Sequence, residues 1–119
     1  MVKRKAAAST DQLPKGDVMF KVVITTTKPS YVPFFSVSSP EVVALISQEG
    51  NIVKNSPGFI SSKIDTSADG NTSVTTVCWE SKAHADAVGS ANKQLYEELR
   101  IKREAYNKAN GITRTRKVV

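Results

Sequence analysis

Few side chains in this chain could carry chemistry on their own. Trp79 and His84 stand on either side of Ser81: the indole could stack a planar ligand, and the imidazole has the intrinsic pKa of a general base near neutral pH. Tyr31, Phe34 and Phe35 crowd into a proline-containing stretch (KPSYVPFFSVS, 28–38) that would fold down as a lid over the core. With Trp79 they are the expected lining of any ligand pocket. Arg100, Lys102, Arg103, Arg114, Arg116 and Lys117 could collect anions. Each group has a more ordinary role to set beside these: a core or interface tryptophan, a histidine bonding a neighbour in a capped helical turn, a solvated helix face and a charged edge strand. Cys78 lies on a strand without a basic sequence neighbour and reads as a buried, inert thiol. One cysteine and one histidine exclude a disulfide scaffold and a zinc module, so no metal site is expected.

These residues must be positioned by one domain, the expectation for 119 residues that are 39% hydrophobic and 24% charged. No apolar run approaches the ~18 residues of a membrane span. The opening MVKRKAAAST lacks an apolar core of the kind signal peptides carry, which makes a cytoplasmic location the default. Residues 1–16 carry +3 (Lys3, Arg4, Lys5 and Lys15 against Asp11), residues 17–99 carry −3, and residues 100–119 carry +6, giving the net +6. The first sixteen residues lack hydrophobic periodicity and read as a flexible basic arm, leaving 17–119 as the folded domain.

Within that domain Asp17 to Thr27 (DVMFKVVITTT) alternates as a strand, with Val18, Phe20, Val22 and Ile24 on one face. Ser38, Ser39, Pro40 and Glu41 start a helix, Ser38 and Glu41 having capping-box spacing; it runs to about Asn55, with Gly50 a candidate kink or stop. Phe59 to Asp65 is a second strand, with Ile60 and Ile64 on one face, and Asp69-Gly70 turns it into a third, Thr72 to Glu80. Ser81 caps one long helix over 82–108, thin in its alanine-rich first half; Asn110-Gly111 ends it, and Ile112 to Val119 is a final strand. The order β-α-β-β-α-β predicts an α+β, ferredoxin-like domain with a four-stranded antiparallel sheet.

Ser56-Pro57-Gly58-Phe59, the hairpin, and Trp79-Glu80-Ser81 ahead of a helix resemble the antibiotic biosynthesis monooxygenase-like superfamily over about residues 17–119. The resemblance implies a dimeric α+β barrel: a homodimer in which two sheets face each other. A sheet covered by helices on one face only asks for a partner on physical grounds as well. We expect Val23, Thr25, Val77 and Trp79 on that open face. The superfamily includes cofactor-independent monooxygenases, haem-degrading enzymes and isomerase relatives. Haem-degrading members place a histidine on the second helix where this chain has Ala87 to Ser90, so haem is not expected. The strand-one asparagine of many catalytic members is also missing, Thr25 or Thr26 taking its place.

Three functions follow as expectations. A non-catalytic structural, assembly or binding module leads, because the fold is matched without the catalytic set; no cofactor is expected. The alternative is a cofactor-independent monooxygenase acting on an aromatic small molecule through Trp79 and the aromatic loop, and it requires open space between sheet and helices. The third is a binder of nucleic acid or another anionic partner through the basic termini.

Overall fold

The computed structural model describes residues 19–119. The arm expected over 1–16 lies outside them, as do Asp17 and Val18. The elements are β1 (Phe20–Thr27), a 3-10 turn (Phe35–Val37), α1 (Pro40–Lys54), β2 (Phe59–Thr66), β3 (Thr72–Trp79), α2 (Lys82–Ala91), α3 (Lys93–Asn110) and β4 (Thr113–Val118). The strands form one sheet in the order β2-β3-β1-β4, antiparallel throughout, which is the expected ferredoxin-like arrangement.

Each turn is closed by the residue types that its backbone demands. Gly70 takes a φ of 77° in the β2–β3 hairpin, where Asp69 Oδ1 accepts from Ser67 Oγ at 2.6 Å and from the Asn71 amide at 2.9 Å. The Asp69 carboxyl is held below its ordinary value, chiefly by the Ser67 hydrogen bond. Gly111 (φ 69°) ends α3, and the Ile112 amide donates to the Asn107 carbonyl at 2.9 Å.

Four local expectations are corrected. The cap of α1 is Ser39, whose Oγ accepts from the Val42 amide at 3.2 Å; Pro40 fixes the first helical position and so the residue before it as cap. Ser38 Oγ instead donates to the Phe35 carbonyl at 2.7 Å, closing the 3-10 turn. Gly50 neither ends nor interrupts α1. The single helix expected over 82–108 is two, separated at Asn92, which leaves helical geometry at φ −131° and ψ 46°. Small residues such as Gly89 and Ser90 give α2 little packing to hold it, and asparagine is a poor helix former. A bulge shifts the β2 register between Phe59 and Ser61, so Ile60 and Ile64 no longer follow one alternation.

The faces of the sheet differ from expectation as well. Cross-strand partners share a face: Phe20 and Phe59 pair with Trp79, Val22 with Val77, and Ile24 with Thr75. This face turns toward the helices. Val23 pairs with Thr76 and Thr25 with Val74, so the open face holds Val23, Thr25, Val74 and Thr76, not Val77 or Trp79.

The hydrophobic centre lies between helices. Phe35, Val42 and the fully buried Leu99 form it, with Leu45, Ile46, Leu95 and Tyr106 packed around them. Phe35 and Tyr106 meet with ring centroids 5.7 Å apart, and Tyr106 Oη donates to the Pro33 carbonyl at 2.7 Å, tying the proline-containing loop to α3. A second packed region sits at the Trp79 end of the sheet, where Trp79 is 4% exposed and meets Phe59 edge-on at 5.7 Å.

Two glycines test this packing in opposite directions. Gly58 has a φ of 82°, and a Cβ there would lie 2.2 Å from His84 Cγ; at Gly50 a Cβ meets nothing within 4 Å. Gly58→Ala is expected to lower unfolding stability by roughly 2–3 kcal/mol from the left-handed backbone and the clash. Gly50→Ala is expected to raise it by about 1 kcal/mol through helix propensity alone. Urea unfolding of both variants checks the contrast.

Candidate functional site

Because the helices pack on one another, they stand away from the middle of the sheet and leave a cavity of about 450 Å³. Alternation along the strands supplies its floor: Ile24 and Thr26 from β1, Ser73, Thr75 and Val77 from β3, and Ile64 from β2. Helical spacing supplies its roof, where Ile46, Glu49, Gly50 and Val53 recur on one face of α1. Phe34 and Phe35 close one side, and Arg103 and Asn107, one helical turn apart on α3, meet Arg114 of β4 at another. Ile64, 68% exposed, marks where the cavity opens.

The polar groups of this wall are incompletely matched. Arg103 lies 3.9 Å from Glu49, beyond hydrogen-bond reach, with its guanidinium 5.5 Å from the centre of the Phe35 ring. Burial pushes the Glu49 carboxyl above its ordinary value, against the pull of Arg103 and Arg114. Arg114 is held below its ordinary value by desolvation first and then by Arg103, with Glu49 opposing. Outside the cavity lining, the Tyr96 phenol is pushed up to about 12 by burial and by the Glu49 charge, and its Oη has no hydrogen-bond partner among the described residues. The Oδ1 of buried Asn107 also lacks one. Glu49, Tyr96 and Asn107 escape a reading of the sequence. The available signal for Glu49 is its place within the spacing Val42, Ile46, Val53, a polar residue on an apolar stripe.

The residues singled out from sequence are distributed unevenly about this cavity. Phe34 and Phe35 line it; Tyr31 is 86% exposed and stands outside it. Trp79 continues the floor two residues beyond Val77 but is sealed by Phe59 and does not line the cavity. His84 lies in the first turn of α2, its Nδ1 2.8 Å from Ser81 Oγ and its ring against Gly58, away from the cavity. Cys78 is buried on the opposite face from Trp79, with Lys21 as its cross-strand partner.

The basic cluster is divided among three surfaces. Arg103 and Arg114 enter the cavity wall, and Arg116 follows Arg114 on the same sheet face, opposite Ile24. Arg100 is tied to Glu97 and Glu104 on the exposed side of α3. Lys117 pairs with Val23 on the open face, and Lys102 does not line the cavity. Among the described residues, the six basic side chains therefore do not form one patch. Among the described residues there is no group of three His, Cys, Asp or Glu that could hold a metal, and no helix is long and apolar enough to cross a membrane.

Comparison with known proteins bears on the fold. No family model matches the chain, and no curated protein matches it significantly. Solved structures do. A putative antibiotic biosynthesis monooxygenase from Nitrosomonas europaea is similar over 90% of this chain and 91% of its own, at 15% identity and a TM-score of 0.57. SnoaB, a cofactor-independent oxygenase from Streptomyces nogalater, is similar over 85% and 90%, at 14% identity and a TM-score of 0.56. The ActVA-Orf6 monooxygenase of Streptomyces coelicolor, solved in complex with nanaomycin D, is similar over 88% and 90%, at 21% identity and a TM-score of 0.52. The chain therefore has the ferredoxin-like fold of the antibiotic biosynthesis monooxygenase-like proteins.

The raised Glu49 carboxyl gives a pH test of the wall. A carboxyl raised in the folded state keeps its proton longer there than in the unfolded chain, so its contribution to stability falls as pH rises from the ordinary value of 4.5 through the folded one. The stability of the natural protein minus that of Glu49→Gln is expected to decrease between acid and neutral pH in urea titrations. An increase would show that pairing with Arg103 outweighs burial.

Proposed function

We propose that this chain, on its antibiotic biosynthesis monooxygenase-like fold, is a cofactor-independent monooxygenase that acts on an aromatic small molecule. The observation that carries the proposal is the cavity between sheet and helices: its volume of about 450 Å³ falls within the usual range of small-molecule sites, and its wall combines two phenylalanines and aliphatic side chains with a few polar groups. A purely structural module has no need of such a space, and closer packing would stabilise it. The similar structures from the two Streptomyces species, a cofactor-independent oxygenase and a ligand-bound monooxygenase, support the same reading.

Without a cofactor the electrons for oxygen must come from the substrate itself. An electron-rich phenol, hydroquinone or anthrone meets that need: with an anthrone, two hydrogens leave the ring carbon, one atom of O2 becomes the new carbonyl and the other leaves as water. The protein's share is to exclude bulk water and to hold the ionised ring, tasks suited to the Phe34 and Phe35 wall and to the nearby guanidinium groups. A homodimer formed through the open face would cover Val23, Thr25, Val74 and Thr76.

Oxygen uptake with anthrone tests the activity, which should exceed the uncatalysed rate and yield anthraquinone by mass spectrometry. Gly50→Leu, which fills the cavity from α1, is expected to lower that rate by about tenfold or more while circular dichroism stays unchanged. Uptake equal to that of the buffer, or insensitivity to the filled cavity, would count against the proposal. Native mass spectrometry is expected to report a dimer, and a persistent monomer would remove the partner for the open face.

A further inference from the structure

Resting on the reading that the cavity binds an aromatic small molecule, we infer that Arg103, Arg114 and Asn107 form a subsite for an aromatic acid carrying a hydroxyl beside its carboxylate. Charge is the first reason. Two guanidinium groups and the Lys54 ammonium line the wall against one carboxylate, Glu49, so positive charge exceeds negative in a partly buried space. Arg114 takes part in no ion pair among the described residues. Arg103 approaches Glu49 only to 3.9 Å, which leaves its donors without a short carboxylate bond. Arginine is suited to such a ligand because its planar fork matches both carboxylate oxygens.

Asn107 gives the second reason, independent of charge. It is 9% exposed, lines the cavity, and its Oδ1 accepts nothing among the described residues. A buried acceptor without a donor is costly, and a ligand hydroxyl satisfies it. Its main chain cannot easily move away, because its carbonyl accepts the amides that end α3. Asn107 follows Arg103 by one turn, so hydroxyl and carboxylate recognition fall on one helix face. Phe35, under the Arg103 guanidinium, offers the adjoining ring a flat neighbour.

Isothermal titration of the full chain with 3-hydroxy-2-naphthoate and 2-naphthol separates the subsite from the cavity. The acid is expected to bind about tenfold or more tightly than the naphthol. Arg114→Gln should weaken the acid by about tenfold while changing the naphthol by less than about twofold, and Arg114→Lys, which keeps the charge and loses the fork, should fall between. Thermal unfolding of both variants verifies that they fold. Equal affinity for the two probes, or equal loss in the variants, overturns the subsite and leaves the aromatic cavity standing. Failure of both probes to bind overturns the two together.

Discussion

The burial of Leu99 against Val42 and Phe35 is the constraint on which the rest depends. It joins α1, α3 and the 3-10 turn to one another and not primarily to the sheet, so helix–helix packing sets how far the roof stands above the floor. A side chain as large as leucine with no exposure contributes about 2–3 kcal/mol by transfer alone. The packing therefore supports the gap beneath it: the cluster stabilises the helical layer, and the layer spans Ile24, Thr75 and Val77 without filling the space between. Tyr106 extends the same support by fixing the loop that presents Phe34.

The electrostatics of the cavity follow from the partial burial of its charged groups. Glu49 would be strongly disfavoured as an anion without the two arginines, and the arginines would repel each other more without Glu49. A long Arg103–Glu49 separation leaves both partners able to turn toward a third group. By contrast Arg100, on the outer side of the same helix, has its guanidinium committed to Glu97 and Glu104 in water. Residues of one type, three positions apart on one helix, thus differ in availability because one faces solvent and the other the cavity.

The order of elements, the Asp69-Gly70 hairpin and the Gly111 helix end were legible because each is written in local periods or turn residues. What lay across elements was not. Alternation within β3 groups Val77 with Trp79, and within β1 it groups Val23 with Thr25, but the register joining the two strands is set across the α1 crossover, where no short-range signal acts. The break at Asn92 is hidden in an otherwise continuous helical pattern. Phe34 and Phe35 could be gathered with Tyr31 by composition, yet a loop has no period to say which ring turns inward. Glu49 and Asn107 resemble surface residues until α1 and α3 are set over the sheet.

Arg103, Asn107 and Arg114 also lie within one stretch of chain, residues 103–114, whose two arms are joined at the Gly111 turn. The apolar wall, in contrast, is gathered from α1, the 3-10 turn and the strands before it. Polar recognition and apolar containment are therefore inherited separately along the chain. Exchange of a single terminal segment could alter which functional group is read without disturbing the chamber that holds the ring, a division that makes the fold easy to diversify.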